Sequence, residues 1–309
     1  MIYETILDAV GHTPLIRLQR MTGPEDAQIL VKLEAVGIGG SIKTRTALTM
    51  LRQAWDRGEI GPGSKIVEAT SGNQGIGLAL AGAVLGLDVC IIMPDSVSQE
   101  RRSLVSQYGA RLVLIPDEGD IGACIDRCVQ TAQQMAKEDP SVYLPRQFSN
   151  PDNILAHFAG TGTEILEQAG DLPLDGFVVG FGTGGTLTGV GRALRSRWPQ
   201  LTIWAAEPEH AAILSGGAIG THIQMGIGDG IIPENLDRSL IDDCCIITDD
   251  EAVEASRRLA REEGLLCGIS SGTNVAAALR LARKLGPGKT VVTILPDTGE
   301  RYFSTPLYR

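Results

Sequence analysis

The chain alternates short apolar runs with longer stretches in which apolar residues recur at helical spacing. A short apolar run bounded by turn residues predicts a buried strand, whereas apolar residues at i, i+3, i+4 and i+7 predict an amphipathic helix. The predicted strands are 65–69, 88–93, 111–115, 176–180, 201–206, 245–248 and 290–295. The predicted helices are 75–85, 98–108, 121–137, 185–197, 249–263 and 273–284. This alternation predicts an α/β fold in which parallel sheets carry helices on both faces.

Length and composition fit a globular protein with a buried core. The chain has 309 residues, of which 43% are hydrophobic and 21% are charged. That is enough for one large α/β domain or two smaller ones. Junctions rich in glycine or proline lie at 37–40, 150–151 and 216–230, and the middle one is a plausible return point between two lobes.

Charge and hydropathy exclude several classes of partner. The net charge of -10 argues against nucleic acid, because phosphate binding requires clustered lysine and arginine. No stretch reaches about 18 uncharged apolar residues, so no membrane span is expected. The first residues, Met1–Glu4, lack the basic segment of a signal peptide, and we therefore predict a cytoplasmic protein.

The cysteines and histidines do not predict a metal site. Six cysteines occur without a CxxC pair, and the four histidines are scattered along the chain. Neither a zinc site nor a Ser-His-Asp triad is therefore expected. Cys124 and Cys128 are four residues apart in a predicted helix, so they share one face and are expected to pack in the core as reduced thiols.

Two glycine-rich loops follow predicted strands, where ligands of α/β proteins bind. Gly182–Thr186 opens a predicted helix, so its backbone N–H groups and the helix dipole predict a phosphate site. The alternative is a glycine turn that serves close helix–strand packing. Thr70–Gly75 offers hydroxyl and amide groups without charge and could hold a carboxylate. The alternative there is an ordinary helix cap at Ser71 or Asn73.

A third glycine-rich segment contains a lysine. Gly39–Arg45 is superficially similar to a Walker A loop, but Ile42 stands where that loop requires glycine, so ATP binding is not expected. Lys43 in this apolar setting could lose its proton through desolvation, which would suit a lysine that forms a Schiff base. The alternative is a lysine that simply faces solvent.

Taken together, these loops resemble the cysteine synthase (O-acetylserine sulfhydrylase) and cystathionine β-synthase family of fold-type II pyridoxal-phosphate (PLP) enzymes. The resemblance covers essentially the whole chain, with its motifs in the family's order. The matching segments are Gly11–Leu15, Ser41–Lys43, Thr70–Asn73, Gln147–Pro151, Gly182–Thr186, Gly268–Gly272 and Asp297–Tyr302. It implies two doubly wound α/β lobes with the active site between them, a smaller one at 42–146 and a larger one at 1–41 and 147–309.

The resemblance also implies roles for individual residues. Lys43 would hold PLP through a Schiff base and move the Cα proton of the substrate. The other cofactor residues would be Asn73 at the ring hydroxyl, Ser270 at the pyridine nitrogen, and Gly182, Thr183, Gly184, Gly185 and Thr186 at the phosphate. The substrate carboxylate would be held by Thr70, Ser71, Gln74 and Gln147. A neutral hydroxyl at Ser270 would not keep the ring nitrogen fully protonated, which favours β-elimination over transamination.

The sequence departs from the family pattern near the predicted site. Thr44 replaces the usual aspartate after the lysine, and Val36–Ile38 replaces the usual Asn-Pro. Gln74 replaces a threonine, and its longer side chain could reshape the carboxylate pocket. Asp229 stands where the family has a small neutral residue, so its carboxylate could activate a water or bind an amino group. The alternative is a solvated loop aspartate.

The resemblance therefore predicts β-replacement through an aminoacrylate, with O-acetyl-L-serine and sulfide giving L-cysteine and acetate. The first alternative is an enzyme that consumes L-cysteine and releases sulfide, with Asp229 activating the water that gives L-serine. A cystathionine β-synthase-like condensation, threonine synthase or serine dehydratase chemistry, and a non-catalytic metabolite-binding paralogue remain further alternatives. By resemblance we also expect a homodimer and a possible contact with serine acetyltransferase.

Overall fold

A computed structural model describes residues 2–119, 121–305 and 307–308, without the side chain of residue 121. It divides into two compact units. Unit 1 comprises Met1–Val10 and Lys43–Asn153, and unit 2 comprises Gly11–Ile42 and Ile154–Arg309. These bounds differ from the predicted lobes at both ends of unit 1. The N-terminal segment joins unit 1 through an ion pair between Asp8 and Arg52 (3.0 Å), and residues 147–153 join it through an ion pair between Asp152 and Arg57 (3.0 Å).

The regular elements are numbered in chain order. The strands are β1 (Leu15–Arg17), β2 (Gln28–Leu33), β3 (Lys65–Ala69), β4 (Asp88–Pro94), β5 (Arg111–Ile115), β6 (Val142–Tyr143), β7 (Gly176–Gly180), β8 (Thr202–Pro208), β9 (Asp243–Ile247) and β10 (Thr290–Leu295). The helices are α1 (Lys43–Asp56), α2 (Asn73–Leu85), α3 (Gln99–Gln107), α4 (Ile121–Glu138), α5 (Pro151–Leu155), α6 (Thr163–Ala169), α7 (Gly185–Arg197), α8 (Asp249–Glu263) and α9 (Ile269–Leu285). A π-helical segment, Ala156–Gly162, joins α5 to α6.

The predicted strands and helices are confirmed, with shifts of a few residues at their ends. Two shifts concern the predicted site, because α2 begins at Asn73 and α9 begins at Ile269, each before the predicted start. The sequence analysis did not predict β1, β2, β6, α1, α5 or α6. The pair β1 and β2 is antiparallel, so these strands lie outside the strand–helix alternation on which the prediction rested.

Unit 1 contains a parallel sheet in the order β5-β4-β3-β6. Side chains of successive strand residues point to opposite faces, and different helices cover these faces. On one face, Ile92 packs with Cys124 and Cys128 of α4 in a buried cluster. On the other, a Cβ added at Gly75 of α2 would lie 3.0 Å from Ile91. The packing role predicted for the two cysteines of α4 is confirmed, and all six cysteines of the chain are free thiols.

Unit 2 contains a sheet in the order β1-β2-β10-β7-β8-β9, parallel except for the β1–β2 pair. Val178 of β7 lies in a cluster with residues of α8 and α9, whereas its neighbours Phe177 and Val179 lie in a cluster with residues of α7. Both faces of this sheet are therefore covered, as predicted. Among the described residues, no helix is long and apolar enough to cross a membrane.

Candidate functional site

Lys43 is the first residue of α1 and is half-buried. The chain reaches it through Gly39 and Gly40, both with positive φ (75° and 66°), a conformation that glycine adopts without a steric penalty. Two hydroxyls that flank the lysine, Ser41 Oγ and Thr44 Oγ1, are buried and have no hydrogen-bond partner among the described residues. Buried polar groups normally have partners, so these hydroxyls are available to a ligand.

The loop after β3 leads directly into α2. The Gly72 N–H donates to Thr70 Oγ1 (3.3 Å), and Gly72 is the residue before the helix, with no side-chain cap. Ser71 is exposed and Asn73 begins α2. The alternative in which Ser71 or Asn73 serves as an ordinary helix cap therefore finds no support in the structure.

Helix packing within unit 1 brings the lysine helix and this loop together. A Cβ added at Gly77 of α2 would lie 2.9 Å from the Lys43 carbonyl oxygen, so only glycine allows this approach. Thr46 Oγ1 of α1 donates to Gln74 Oε1 of α2 (2.7 Å). The structure thus confirms that the start of α1 and the start of α2 are neighbours, a contact that the sequence motifs alone did not establish.

Gln147 is buried, and a carboxylate fixes its backbone. Glu68 of β3 accepts hydrogen bonds from the N–H groups of Arg146 (3.0 Å) and Gln147. Burial raises the pKa of Glu68 to about 8, although both N–H donors and the charge of Arg146 lower it. Arg146 has a φ of 55°, which is unusual for a residue with a side chain. Glu68 therefore stabilises the backbone turn that carries Gln147.

The predicted phosphate loop joins β7 to α7 in unit 2. Gly184 precedes the helix with a φ of 80°. A Cβ added at Gly184 would lie 2.8 Å from the Leu236 backbone nitrogen, and one added at Gly182 would lie 2.5 Å from the Gly226 carbonyl oxygen. Both positions therefore require glycine. Close packing, the alternative explanation for these glycines, is therefore observed, and no side chain caps the start of α7.

A histidine lies behind this loop. His157 is fully buried in the π-helical segment. Its Nε2 lies 3.2 Å from Thr186 Oγ1, and its Nδ1 lies 3.0 Å from Thr161 Oγ1. The hydroxyl of Thr186, predicted to bind phosphate, is thus oriented by a side chain from 29 residues earlier in the chain.

Ser270 lies in the first turn of α9 and is 4% exposed. Two residues earlier, the Gly268 N–H donates to the carbonyl of Asp297 (3.0 Å), which lies in the segment after β10. The same segment holds the residue before the lysine, since the Ile42 N–H donates to the Pro296 carbonyl (2.8 Å). Pro296 and Asp297 therefore hold both the backbone before Lys43 and the backbone before Ser270.

Asp229 is exposed, but its carboxylate lies against the start of the phosphate loop. A Cβ added at Gly182 would be 3.1 Å from Asp229 Oδ2. The Gly228 N–H donates to the Phe181 carbonyl (3.1 Å), which fixes the loop beside the end of β7. The structure thus places Asp229 next to predicted site residues of unit 2, although the aspartate is a surface residue.

Several residues with a clear part in this geometry were not predicted from the sequence. They are Thr46, Glu68, His157 and Asn274, of which the last accepts from the Gly180 N–H (2.7 Å) and donates to the Ile294 carbonyl (2.8 Å). Each acts through a partner distant in the chain. A polar residue inside a predicted buried strand, as at Glu68, is the one signal that could have pointed to them. Among the described residues, no group of three or more histidines, cysteines or acids could hold a metal ion.

Comparison with known proteins identifies the family. The family model described as "Pyridoxal-phosphate dependent enzyme" matches residues 6–297. This chain belongs to that family. A cysteine synthase of Staphylococcus aureus is 45% identical over 305 residues, which cover 99% of this chain and 97% of that protein. The predictions of an enzyme, of its PLP cofactor and of its α/β fold are thereby confirmed.

Solved structures of related enzymes cover the whole chain as well. A crystal structure of O-ureido-L-serine synthase matches this PLP-dependent enzyme with a TM-score of 0.94 and 42% identity, covering 100% of this chain and 96% of that one. A hydrogen sulfide-producing enzyme from Fusobacterium nucleatum matches with a TM-score of 0.92 and 36% identity, covering 98% of each chain. Both relatives share its fold along the full length.

Proposed function

We propose that this enzyme catalyses β-replacement on a small amino acid and converts O-acetyl-L-serine and sulfide to L-cysteine and acetate. The observation that carries the proposal is the 45% identity with a cysteine synthase over 99% of this chain. The contact between Thr46 and Gln74, which joins the lysine helix to the Thr70–Gln74 loop, adds support.

The residues fit the cofactor. No side chain caps the start of the 13-residue helix α7. The backbone of Gly182–Gly184 there supplies N–H groups and the positive end of a helix dipole, which suit a phosphate. Thr183 and Thr186 add hydroxyl donors to this cradle. We propose that Lys43 holds the cofactor, that Asn73 binds its ring hydroxyl and that Ser270 faces its pyridine nitrogen.

When bound, PLP supplies the electron sink that lets the β-substituent of the amino acid leave. Lys43 would take the Cα proton of the substrate and later return it. Thr70, Ser71, Gln74 and Gln147 donate hydrogen bonds to the substrate carboxylate. Ser270 offers a neutral hydroxyl where a carboxylate would favour protonation of the ring nitrogen, so loss of the β-substituent is preferred over transamination.

Asp229 supports a second candidate function. Its carboxylate lies beside Gly182 at the start of the proposed phosphate loop, where it could orient or deprotonate a water molecule. The enzyme would then convert L-cysteine and water to L-serine and sulfide. The related hydrogen sulfide-producing enzyme makes this reaction the natural competitor of cysteine synthesis.

One set of assays tests both functions. Purified holoenzyme is given O-acetyl-L-serine with sulfide, and separately L-cysteine alone, while the visible spectrum and the amino-acid products are followed. We expect cysteine formation to be at least about tenfold faster than sulfide release. The reverse ratio, abolished by Asp229→Asn, would establish the second function. A spectrum that changes with none of these amino acids would contradict both.

The oligomeric state, a partner protein and the cellular compartment are also proposed. We propose a homodimer that could contact serine acetyltransferase, because the resembling family assembles in this way. We also propose a reducing compartment such as the cytoplasm, since all six cysteines are free thiols. Light scattering of the purified holoenzyme measures its mass in solution, and a mass of one chain would contradict the dimer.

A further inference from the structure

Gln74 combines deep burial with an incomplete set of hydrogen bonds. Its side chain lies in the first turn of α2 and is 1% exposed. Oε1 accepts a hydrogen bond from Thr46 Oγ1 (2.7 Å). Nε2, which carries two N–H donors, is buried and has no partner among the residues that the structure describes. One end of the carboxamide is therefore fixed, and the other end offers unused donors.

An unpaired buried donor destabilises the chain that contains it. Such a group is retained where an acceptor arrives from outside the chain. The position of Gln74 indicates the charge of that acceptor, because the first turn of a helix favours an anion. The hydroxyl of Thr70 lies in the same loop, so an arriving carboxylate would meet several donors.

Thr46 determines which end of the carboxamide is free. Its Oγ1 lies 2.7 Å from Gln74 Oε1 and 2.9 Å from the Lys43 carbonyl oxygen. The hydroxyl thus links Gln74 to the first turn of the lysine helix. While Thr46 donates to Oε1, Nε2 is not the atom that faces the Thr46 hydroxyl. The family that this chain resembles has the shorter threonine at position 74, whereas a glutamine requires such a restraint to present one defined group.

We propose that Thr46 is a positioning residue that orients the Gln74 carboxamide so that Nε2 donates to the α-carboxylate of the amino-acid substrate. The inference rests on the proposed function, since it assumes an amino-acid substrate. It assigns substrate affinity to a pair of residues, Thr46 and Gln74, that lie 28 positions apart and that no sequence motif joins.

The test uses the holoenzyme and four variants of the pair. Gln74→Glu keeps the acceptor for Thr46 but replaces the donor with a negative charge. Gln74→Met removes both polar ends at similar length. Thr46→Val removes the hydroxyl, and Thr46→Ser retains it. Thr49→Val, a half-exposed position on the same helix, is the matched control. The dissociation constants of O-acetyl-L-serine and L-cysteine are read from the change in cofactor absorbance.

We expect Gln74→Glu to weaken binding about 100-fold, Gln74→Met at least about tenfold and Thr46→Val about fivefold, because each loses a hydrogen bond to a charged group or its alignment. Thr46→Ser and Thr49→Val should stay within about twofold of the wild type. A second readout separates ligand binding from folding. Substrate-free Gln74→Met should unfold at the same or a higher temperature than the wild type, because it removes an unpaired buried donor.

Two results would overturn the inference. Gln74→Glu could bind within about threefold of the wild type, which would mean that no donor of residue 74 faces the carboxylate. Alternatively, Gln74→Met could lose thermal stability together with affinity, which is the behaviour of a purely structural residue. A wild-type spectrum that changes with neither amino acid contradicts the proposed function itself, and the inference then fails with it.

Discussion

Glu68 illustrates how a single buried carboxylate can organise a neighbouring segment. It is one of the few charged residues inside the unit 1 sheet, and it accepts backbone N–H groups of Arg146 and Gln147. Despite these two donors, the Glu68 carboxyl group stays protonated at neutral pH, because burial outweighs them and raises its pKa to about 8. Proton uptake by this residue should therefore be visible in folding stability.

Glu68→Gln should change how stability depends on pH. The pKa of Glu68 is raised on folding from 4.5 to about 8, so the folded chain keeps a proton that the unfolded chain has released. The stabilisation that Glu68 contributes to the folded chain is complete below about pH 4.5. It is lost as the pH rises through 8, by up to about 1.4 kcal/mol per pH unit. Glutamine mimics the protonated acid and should remove this decline.

Urea unfolding of both holoproteins at pH 5, 6, 7 and 8 measures the effect as a difference between the two curves, which cancels other titrating groups. Stability curves that remain parallel across this range would contradict the assignment.

Motifs assigned expected roles to residues with recognisable chemistry, and they missed the residues that contact them. The roles proposed for Lys43, Asn73 and Ser270 rest on a lysine, an amide and a hydroxyl in glycine-rich segments whose order resembles a known family. His157 could not be predicted in this way, since an isolated histidine in an apolar stretch gives no signal until its contact with Thr186 is seen. Roles that depend on a partner cannot be found from one residue's neighbours in the chain.

At the scale of elements, glycines decide where backbone and ligand can meet. The start of α7 carries Gly184 at a positive φ against the Leu236 backbone nitrogen. The end of α2 carries Gly86, also at a positive φ (69°), but a Cβ there would meet nothing within 4 Å. An alanine at either position would be strained by the left-handed backbone. Only at Gly86 would its side chain have room.

Gly184→Ala should weaken cofactor binding at least about tenfold, because the added Cβ must displace the backbone that forms the phosphate cradle. Gly86→Ala is the matched control and should cost about 1 kcal/mol of stability without changing cofactor affinity. Titration of both apoproteins with PLP, followed by absorbance, compares the two. Equal cofactor affinity in the two variants would show that the phosphate does not sit at the start of α7.

Over the whole molecule, most lysines lie in ion pairs with carboxylates. The chain has six lysines. Four of them pair with carboxylates, namely Lys32 with Glu164, Lys65 with Asp139, Lys284 with Asp243 and Lys289 with Asp175. A carboxylate favours the charged ammonium; the partner Asp139 raises the pKa of Lys65, for example. A Schiff base needs a neutral amine, so these four are poor candidates.

Because Lys43 stands at the position of the cofactor lysine in the family that the chain resembles, borohydride reduction of the holoenzyme should attach the cofactor to Lys43 alone. Peptide mapping by mass spectrometry locates the label, Lys43→Ala should remove it, and Lys65→Ala should leave it unchanged. A label on Lys32, or one spread over several lysines, would contradict the proposed role of Lys43.

The sequence by itself determined the class of fold, through hydrophobic periodicity, and the cofactor, through its resemblance to a family of PLP enzymes. Both depend on patterns of residues close together in the chain. Only the tertiary structure decided that Thr46 donates to Gln74, that Glu68 accepts from the Gln147 backbone, and that Pro296 and Asp297 accept from the N–H groups of Ile42 and Gly268. The physical reason is that hydrogen bonds and steric contacts between distant segments arise only when helices and strands pack, and no local pattern encodes their geometry.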